Sequence, residues 1–322
     1  MLPRLLSPLP LQALFAYRLR RMASSGLRAR LEAIGAAFTA GYQAALEERE
    51  PAAIAARLDR VEPERQGFAA EGVGMGLALL DGLIPGRRDR LRRYLEGPGE
   101  RQSYMLHAGA GWALAFPLLS GRALLARLDP LLGAIALDGY GFYRAYFFPR
   151  RTIDRSRLPR WISAAAGRSF DVGVGRRLWF LDADDADMER VLTLAARFPA
   201  DRRADLWTGL GEACSFGGGR DAGTVAVLRQ AAGPFLPAFA QGVAFAAEVR
   251  DRGGFPAQHT ELACRTVWER SAEATAAIVR DTGLGLPGTG PDAFEAWRQR
   301  IRGRFTSSAA PASSPPRGRS PS

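Results

Sequence analysis

The sequence predicts a mainly α-helical globular protein with little or no β structure, and three observations carry that expectation. Apolar residues recur at helical spacing along most of the chain. Strand-like stretches are few and short. Hydrophobic residues make up 47% of the 322, enough to build a sizeable core. At this length the chain has room for about two domains, at roughly 150 residues each.

Leu27, Leu31, Ile34, Phe38 and Tyr42 lie on one face of a helix. Pro51 suits the first turn of the next helix, which carries Ile54 and Leu58. Val191, Leu194, Ala195 and Phe198 repeat the pattern after an acidic start, and Pro199 ends it. Phe239 to Val249 and Glu261 to Val279 are also helix-like. The best strand candidates are Arg177 to Leu181 and Tyr143 to Phe148. Gly and Pro clusters at 82–86, 97–99, 217–219, 253–256 and 283–291 read as loops. An internal echo suggests duplication. At an offset of 137 residues, Arg60, Arg65, Gly72 and Gly74 fall on Arg197, Arg202, Gly209 and Gly211. The expected organisation is a basic arm (1–30), two similar helical halves (31–160 and 161–305) and a disordered Ser/Pro/Ala-rich tail (306–322).

The net charge of +11 does not indicate a nucleic-acid binder. All 44 basic residues are Arg, and the excess is concentrated at the ends: Arg4, Arg18, Arg20, Arg21, Arg28 and Arg30 precede the first acid, Glu32. A nucleic-acid surface needs a basic stripe on the folded part instead. The arm suits an exposed Arg-rich segment, or one that rests on an anionic membrane or an acidic partner. Cys214 and Cys264 are too few for a disulfide framework and point to a reducing compartment. Leu9 to Leu19 contains Pro10, Gln12 and Arg18 and lacks a secretory cleavage pattern, and no apolar run reaches the ~20 residues of a membrane span. A cytoplasmic location follows as the expectation.

Several motifs carry two readings. In Glu71 to Gly82 (EGVGMGLALLDG), Gly72 and Gly74 either approach a phosphate or let a buried helix pack closely. The spacing is neither a dinucleotide fingerprint nor a P-loop, so packing is favoured. His107, beside a small-residue run that holds Trp112, is a general base or a satisfied core histidine. In Leu137 to Phe148, Asp138 and Tyr140 suit an acid/base pair against an apolar ligand, with Tyr143 as a wall. Alternatively, Asp138 caps a helix that begins near Gly139. His259 and Glu261 form a comparable polar knot. The acidic run Asp182 to Glu189 caps a helix, or holds magnesium for a diphosphate through Asp184, Asp185 and Glu189. The candidate catalytic residues are thus His107, Asp138 and Tyr140. The candidate ligand contacts are Glu71, Gly72, Gly74, Trp112, Tyr143, His259 and Glu261. No metal site and no cofactor are expected, and the absence of Lys excludes Schiff-base chemistry.

The segments EGVGMGLALLD, YMLHAGAGWALA, LDPLLGAIALDGYGFYRAYF, RLWF, RFPADRRADLWTGLGEACSFGGG, GPFLPAFAQGVAFAAEVR, HTELACRTVW and FEAWRQRI occur in that order. Together they resemble the domain-of-unknown-function family found in enediyne polyketide gene clusters, sometimes called UnbL-type. The resemblance spans roughly Gln12 to Phe305, with Gln66 where Arg is expected before Gly67. It implies an accessory role beside a polyketide synthase, with no agreed catalytic residues. The functional expectation is an accessory protein that binds or modifies an apolar polyene. The alternative is a non-enzymatic scaffold that docks on the synthase or on a membrane redox partner. An apolar polyketide-derived molecule is then the expected ligand.

Overall fold

Glycines that punctuate the apolar segments stand in the middle of helices, not in loops. The computed structural model describes residues 11–20, 22, 25–84, 86, 88–182 and 188–309. A short helix, α1 (Leu11–Leu19), precedes a series of eight longer ones. These are α2 (Ser25–Glu47), α3 (Gln66–Leu83), α4 (Ser103–Ala113), α5 (Gly133–Phe147), α6 (Ala164–Asp182), α7 (Ala200–Gly217), α8 (Leu236–Gly253) and α9 (Ala272–Gly283). A last helix, α10 (Pro291–Ala309), follows. Shorter helices such as Pro51–Leu58, Met188–Ala196, Ala222–Ala231 and Gln258–Trp268 make the connections. No strand occurs among the described residues.

Each long helix packs mainly on the next one in the chain. The contacts are backbone to backbone and depend on glycine. Pairs of the form Gly-x-Gly occur in α3 (Gly72, Gly74), α4 (Gly109, Gly111), α5 (Gly139, Gly141), α6 (Gly173, Gly175) and α7 (Gly209, Gly211), and α8 has Gly242 alone. Their first members recur every 30 to 37 residues. A Cβ at any of these positions would lie within 3.0 Å of a neighbouring helix's carbonyl oxygen. Gly109 thus faces the Glu71 carbonyl, Gly139 that of Ala108, and Gly173 that of Asp138. Glycine otherwise weakens a helix by roughly 1 kcal/mol relative to Ala, so its repeated use here is explained by the close approach it permits.

The series coils back on itself, which brings helices four apart into contact. Phe68 of α3 meets Phe216 of α7 edge-on at 4.9 Å, and Tyr104 of α4 meets Phe245 of α8 at 6.5 Å. The offset of 137 residues noted in the sequence links α3 to α7, four helices along. The series continues across residue 160, where Gly141 of α5 and Gly173 of α6 join the two helices, and the buried residues form one core.

Other expectations change. Tyr143 to Phe148 and Arg177 to Leu181 are largely helical, because their β-formers lie inside helices whose glycine faces decide the packing. Asp138 sits mid-helix and caps nothing. Glu261 to Val279 is two helices, broken where Glu269 adopts a φ of 58°. α10 runs through Thr306 to Ala309, and the rest of the Ser/Pro-rich tail lies outside the described residues, as do 1–10 of the basic arm. No described helix is long and apolar enough to cross a membrane.

Gly109→Ala should lower stability by about 1–3 kcal/mol through overpacking. Gly303→Ala, in an exposed turn of α10 with nothing within 4 Å, should raise it by ~0.5–1 kcal/mol. Urea midpoints of the two variants against the parent chain check both values.

Candidate functional site

The same glycine register that fixes the helix contacts fixes which side chains point into the coil. Glu71, Asp138 and Gln241 stand one residue before Gly72, Gly139 and Gly242, the contact glycines that open each helix's packing face. Trp112, Phe142, Arg176, Glu212 and Phe245 stand three residues after such a glycine. Both positions lie on the inner face, one turn apart. Asp138, Arg176, Glu212, Gln241 and Phe245 border a cavity of ≈ 70 Å³ whose walls come from α3 to α8 and whose end is closed by Phe294 and Arg298 of α10, while Glu71, Trp112 and Phe142 face an adjoining space. Phe68, Met105, Phe180, Phe216 and several alanines make most of the lining apolar.

The polar groups are few and interlinked. Arg176 donates to Asp138 Oδ2 at 2.9 Å and to Glu71 Oε1 at 3.5 Å, and Trp112 Nε1 donates to the same Glu71 oxygen at 3.1 Å. Asp138 Oδ1 is buried with no hydrogen-bond partner among the described residues. At the far wall Arg298 bonds Asp205 at 2.5 Å and Glu295 at 2.9 Å, and its Nε reaches Gln241 Oε1 at 3.4 Å. Glu212 lies between the two arginines. It keeps some accessible surface where it lines the cavity. Burial together with the nearby Asp138 carboxylate raises Glu212 to about 8, despite Arg176 and Arg298. Burial also raises Asp138 and Glu71, opposed first by Arg176. At neutral pH Glu212 therefore holds a proton, while Asp138 is held by its ion pair. A protonated carboxyl and a carboxyl paired with an arginine thus share one apolar cavity.

Of the residues singled out from the sequence, only Asp138 lines this cavity. Glu71 and Trp112 adjoin it, the former through Arg176. His107 is buried on another face of α4, with Nδ1 against Ser103 O at 2.7 Å and Nε2 unpartnered among the described residues. Burial lowers its pKa. Tyr140 packs against Trp161 and Phe170, and Tyr143 against Trp112 and Phe147. Gly72 and Gly74 are helix contacts with Phe38 and Leu106, not a phosphate cradle. His259 helps close the coil: its Nε2 lies 2.9 Å from Phe216 O, and burial and the nearby Arg250 push it down to about 4. Glu261 is half-buried and accepts from Ala272 N at 2.6 Å and Arg265 at 2.7 Å. Cys214 and Cys264 are buried. Asp184 and Asp185 lie outside the described residues, and Glu189 is exposed at a helix start. Sequence reasoning missed Arg176, Glu212 and Arg298. The repeated Gly-x-Gly register was the signal that pointed to the first two.

Glu212 titrates near ~4.3 when unfolded and near 8 when folded. The folded state therefore binds the proton more tightly between those values, and stability falls as pH rises through that window. Glu212→Gln should melt close to the parent chain at about pH 4 and clearly above it at about pH 9, as thermal melts at the two pH values would show. Arg176→Met leaves two buried carboxylates without their cation. It should cost about 3–5 kcal/mol near pH 8 and less near pH 5, as denaturant titrations at both pH values would show.

No curated protein and no solved structure matches the chain. Residues 2–305 match the family described as "Protein of unknown function (DUF1702)". With nearly the whole helix series inside that match, the chain belongs to the DUF1702 family.

Proposed function

We propose that the chain is an accessory protein of enediyne-type polyketide biosynthesis that binds an apolar polyene intermediate in the cavity inside its helix coil. One observation carries the reading: a mostly apolar, aromatic-walled cavity holds one protonated carboxyl, Glu212, and one carboxyl paired with an arginine, Asp138. Such a pair suits a ligand that is greasy along its length and polar at one place. Glu212 donates a hydrogen bond to that polar group, and Asp138, fixed by Arg176, accepts one. The collinear sequence segments that resemble proteins of enediyne clusters support the pathway context. His107 and Tyr140 leave the proposed machinery, because they face other parts of the core.

Incubating the synthase's released polyene with the protein tests this. Expected is co-elution of polyene and protein on gel filtration, lost in Ala246→Phe, which fills the cavity. Retention of the polyene by the filled variant, or no retention by the parent chain, would refute the reading. Glu212→Gln separates carrier from enzyme, since glutamine still donates a hydrogen bond but releases no proton. A carrier keeps its binding, whereas an acid/base enzyme keeps its binding and loses at least about tenfold in turnover.

A second reading, docking on the synthase or a membrane redox partner, has one feature in its favour. α1 leaves Leu14 and Tyr17 exposed, with Arg20 over the Tyr17 ring at 3.9 Å. Leu14→Ser with Tyr17→Ser should abolish co-purification with the synthase if that reading holds, and unchanged recovery of the complex would eliminate it.

A further inference from the structure

A second cavity of ≈ 50 Å³ lies against the first, beneath α1. Phe15 and Leu19 of α1 roof it, Ile34 and Phe38 of α2 wall it, and Trp112 and Tyr146 close its sides. Three side chains, Phe68, Phe180 and Arg176, line both spaces and are the partition between them. Glu71 faces the second cavity and Asp138 the first, so the guanidinium of Arg176 spans the boundary it helps to form. Neither space alone admits a long molecule. Together they trace one narrow slot with aromatic walls, interrupted where two rings and one guanidinium meet.

The roof is held through side chains and not by backbone contact, with Arg18 of α1 donating to the Tyr146 carbonyl. α1 has nine residues, and Leu11, Phe15 and Leu19 are its buried ones. A helix this short is not stable in water by itself. Its central pin is Phe15, edge-on to Phe38, Trp112 and Tyr146 at 5.8, 6.0 and 5.7 Å. Gly35 gives that ring its seat, since a Cβ there would stand 3.0 Å from Phe15 Cδ2. The walls contributed by α2 to α8 belong to helices locked by backbone contacts.

We infer that the space beneath α1 is a second apolar subsite, which takes the far end of an elongated conjugated chain whose polar end sits at Glu212 and Asp138, and that α1 lifts to admit it. This rests on the proposed ligand-binding reading and deepens it. The ligand class is a long, flat, unbranched conjugated chain with one polar terminus, because the slot is narrow, aromatic along its walls and polar near the end bounded by Arg298. Phe68 and Phe180 turn aside to let it pass, and Arg176 keeps both carboxylates paired beside it.

Parinaric acid, a conjugated tetraene fatty acid that fluoresces in apolar surroundings, tests this with anilinonaphthalene sulfonate as a compact companion probe. Expected is binding of both probes to the parent chain. Ile34→Trp, which fills the second cavity, should weaken parinarate at least about tenfold, or about 1.4 kcal/mol, and leave the compact probe unchanged. Ala246→Phe should weaken both. Phe15→Ala should speed parinarate association and leave that of the compact probe unaltered. Trp112→Phe, a milder change, should reduce energy transfer from the protein's tryptophans to bound parinarate. Equal parinarate affinity in Ile34→Trp and the parent chain, or undiminished transfer in Trp112→Phe, overturns the second subsite and leaves the first cavity's role standing. Failure of the parent chain to bind either probe sinks both.

Discussion

The close approach of consecutive helices at glycine is the constraint on which the rest depends. At each crossing a carbonyl oxygen of one helix occupies the space a side chain would take on the next. Dispersion contacts between backbones, with Cα–H groups near carbonyls, replace the usual interdigitation of side chains. This fixes the rotation of every helix about its own axis. Once the glycine face is turned to the neighbour, the residues one before and three after it are turned into the coil. The arrangement behaves as a one-dimensional series, in which each unit is set by its predecessor. The contacts four helices apart, through Phe216 and Phe245, then close the coil around a common interior.

That interior explains how so many ionisable groups survive away from water. Arg176 joins Asp138 and Glu71, Arg202 joins Asp171, and Arg298 joins Asp205 and Glu295. Breaking such pairs is costly, but the pairs themselves add little net stability over well-packed apolar residues. Asp138, Arg176 and Arg298 line one cavity, and their burial is better explained by what they position there. Glu212 is the exception: among the described residues no ion pair fixes it, and its proton is kept by burial and by the adjacent carboxylate. A protonated carboxyl beside one paired with Arg176 sets a hydrogen-bond donor next to an acceptor in one place. The carbonyls at the end of α7 are tied by Arg30, Arg250, His259 and Thr260, so the wall that carries Glu212 is anchored at its end.

Helix content was legible because periodicity is local. Leu27 to Tyr42 marked α2, Pro51 a helix start, and Val191 to Phe198 the helix before Pro199. The packing role of Gly72 and Gly74 was legible too, since their spacing matched no phosphate loop. Aromatic and β-branched residues near Tyr143 and Arg177 misled, because intrinsic strand preference yields to tertiary packing. The echo at 137 residues was one sample of a shorter series, which Gly109, Gly139 and Gly173 complete.

The sequence by itself determined that the chain is helical, which residues lie inward on most helices, and that glycines bring those helices together, because each of these follows from spacing within one or two turns. Only the tertiary structure decided which inward residues meet. Asp138 finds Arg176 at a separation of 38 residues, and Arg176 finds Glu71 at 105. Those encounters depend on the angle accumulated over several helix crossings, which no local pattern encodes. For the same reason His107, notable as one of only two histidines, fell outside the cavity, while Glu212, one acid among 33 acidic residues, came to stand at its centre.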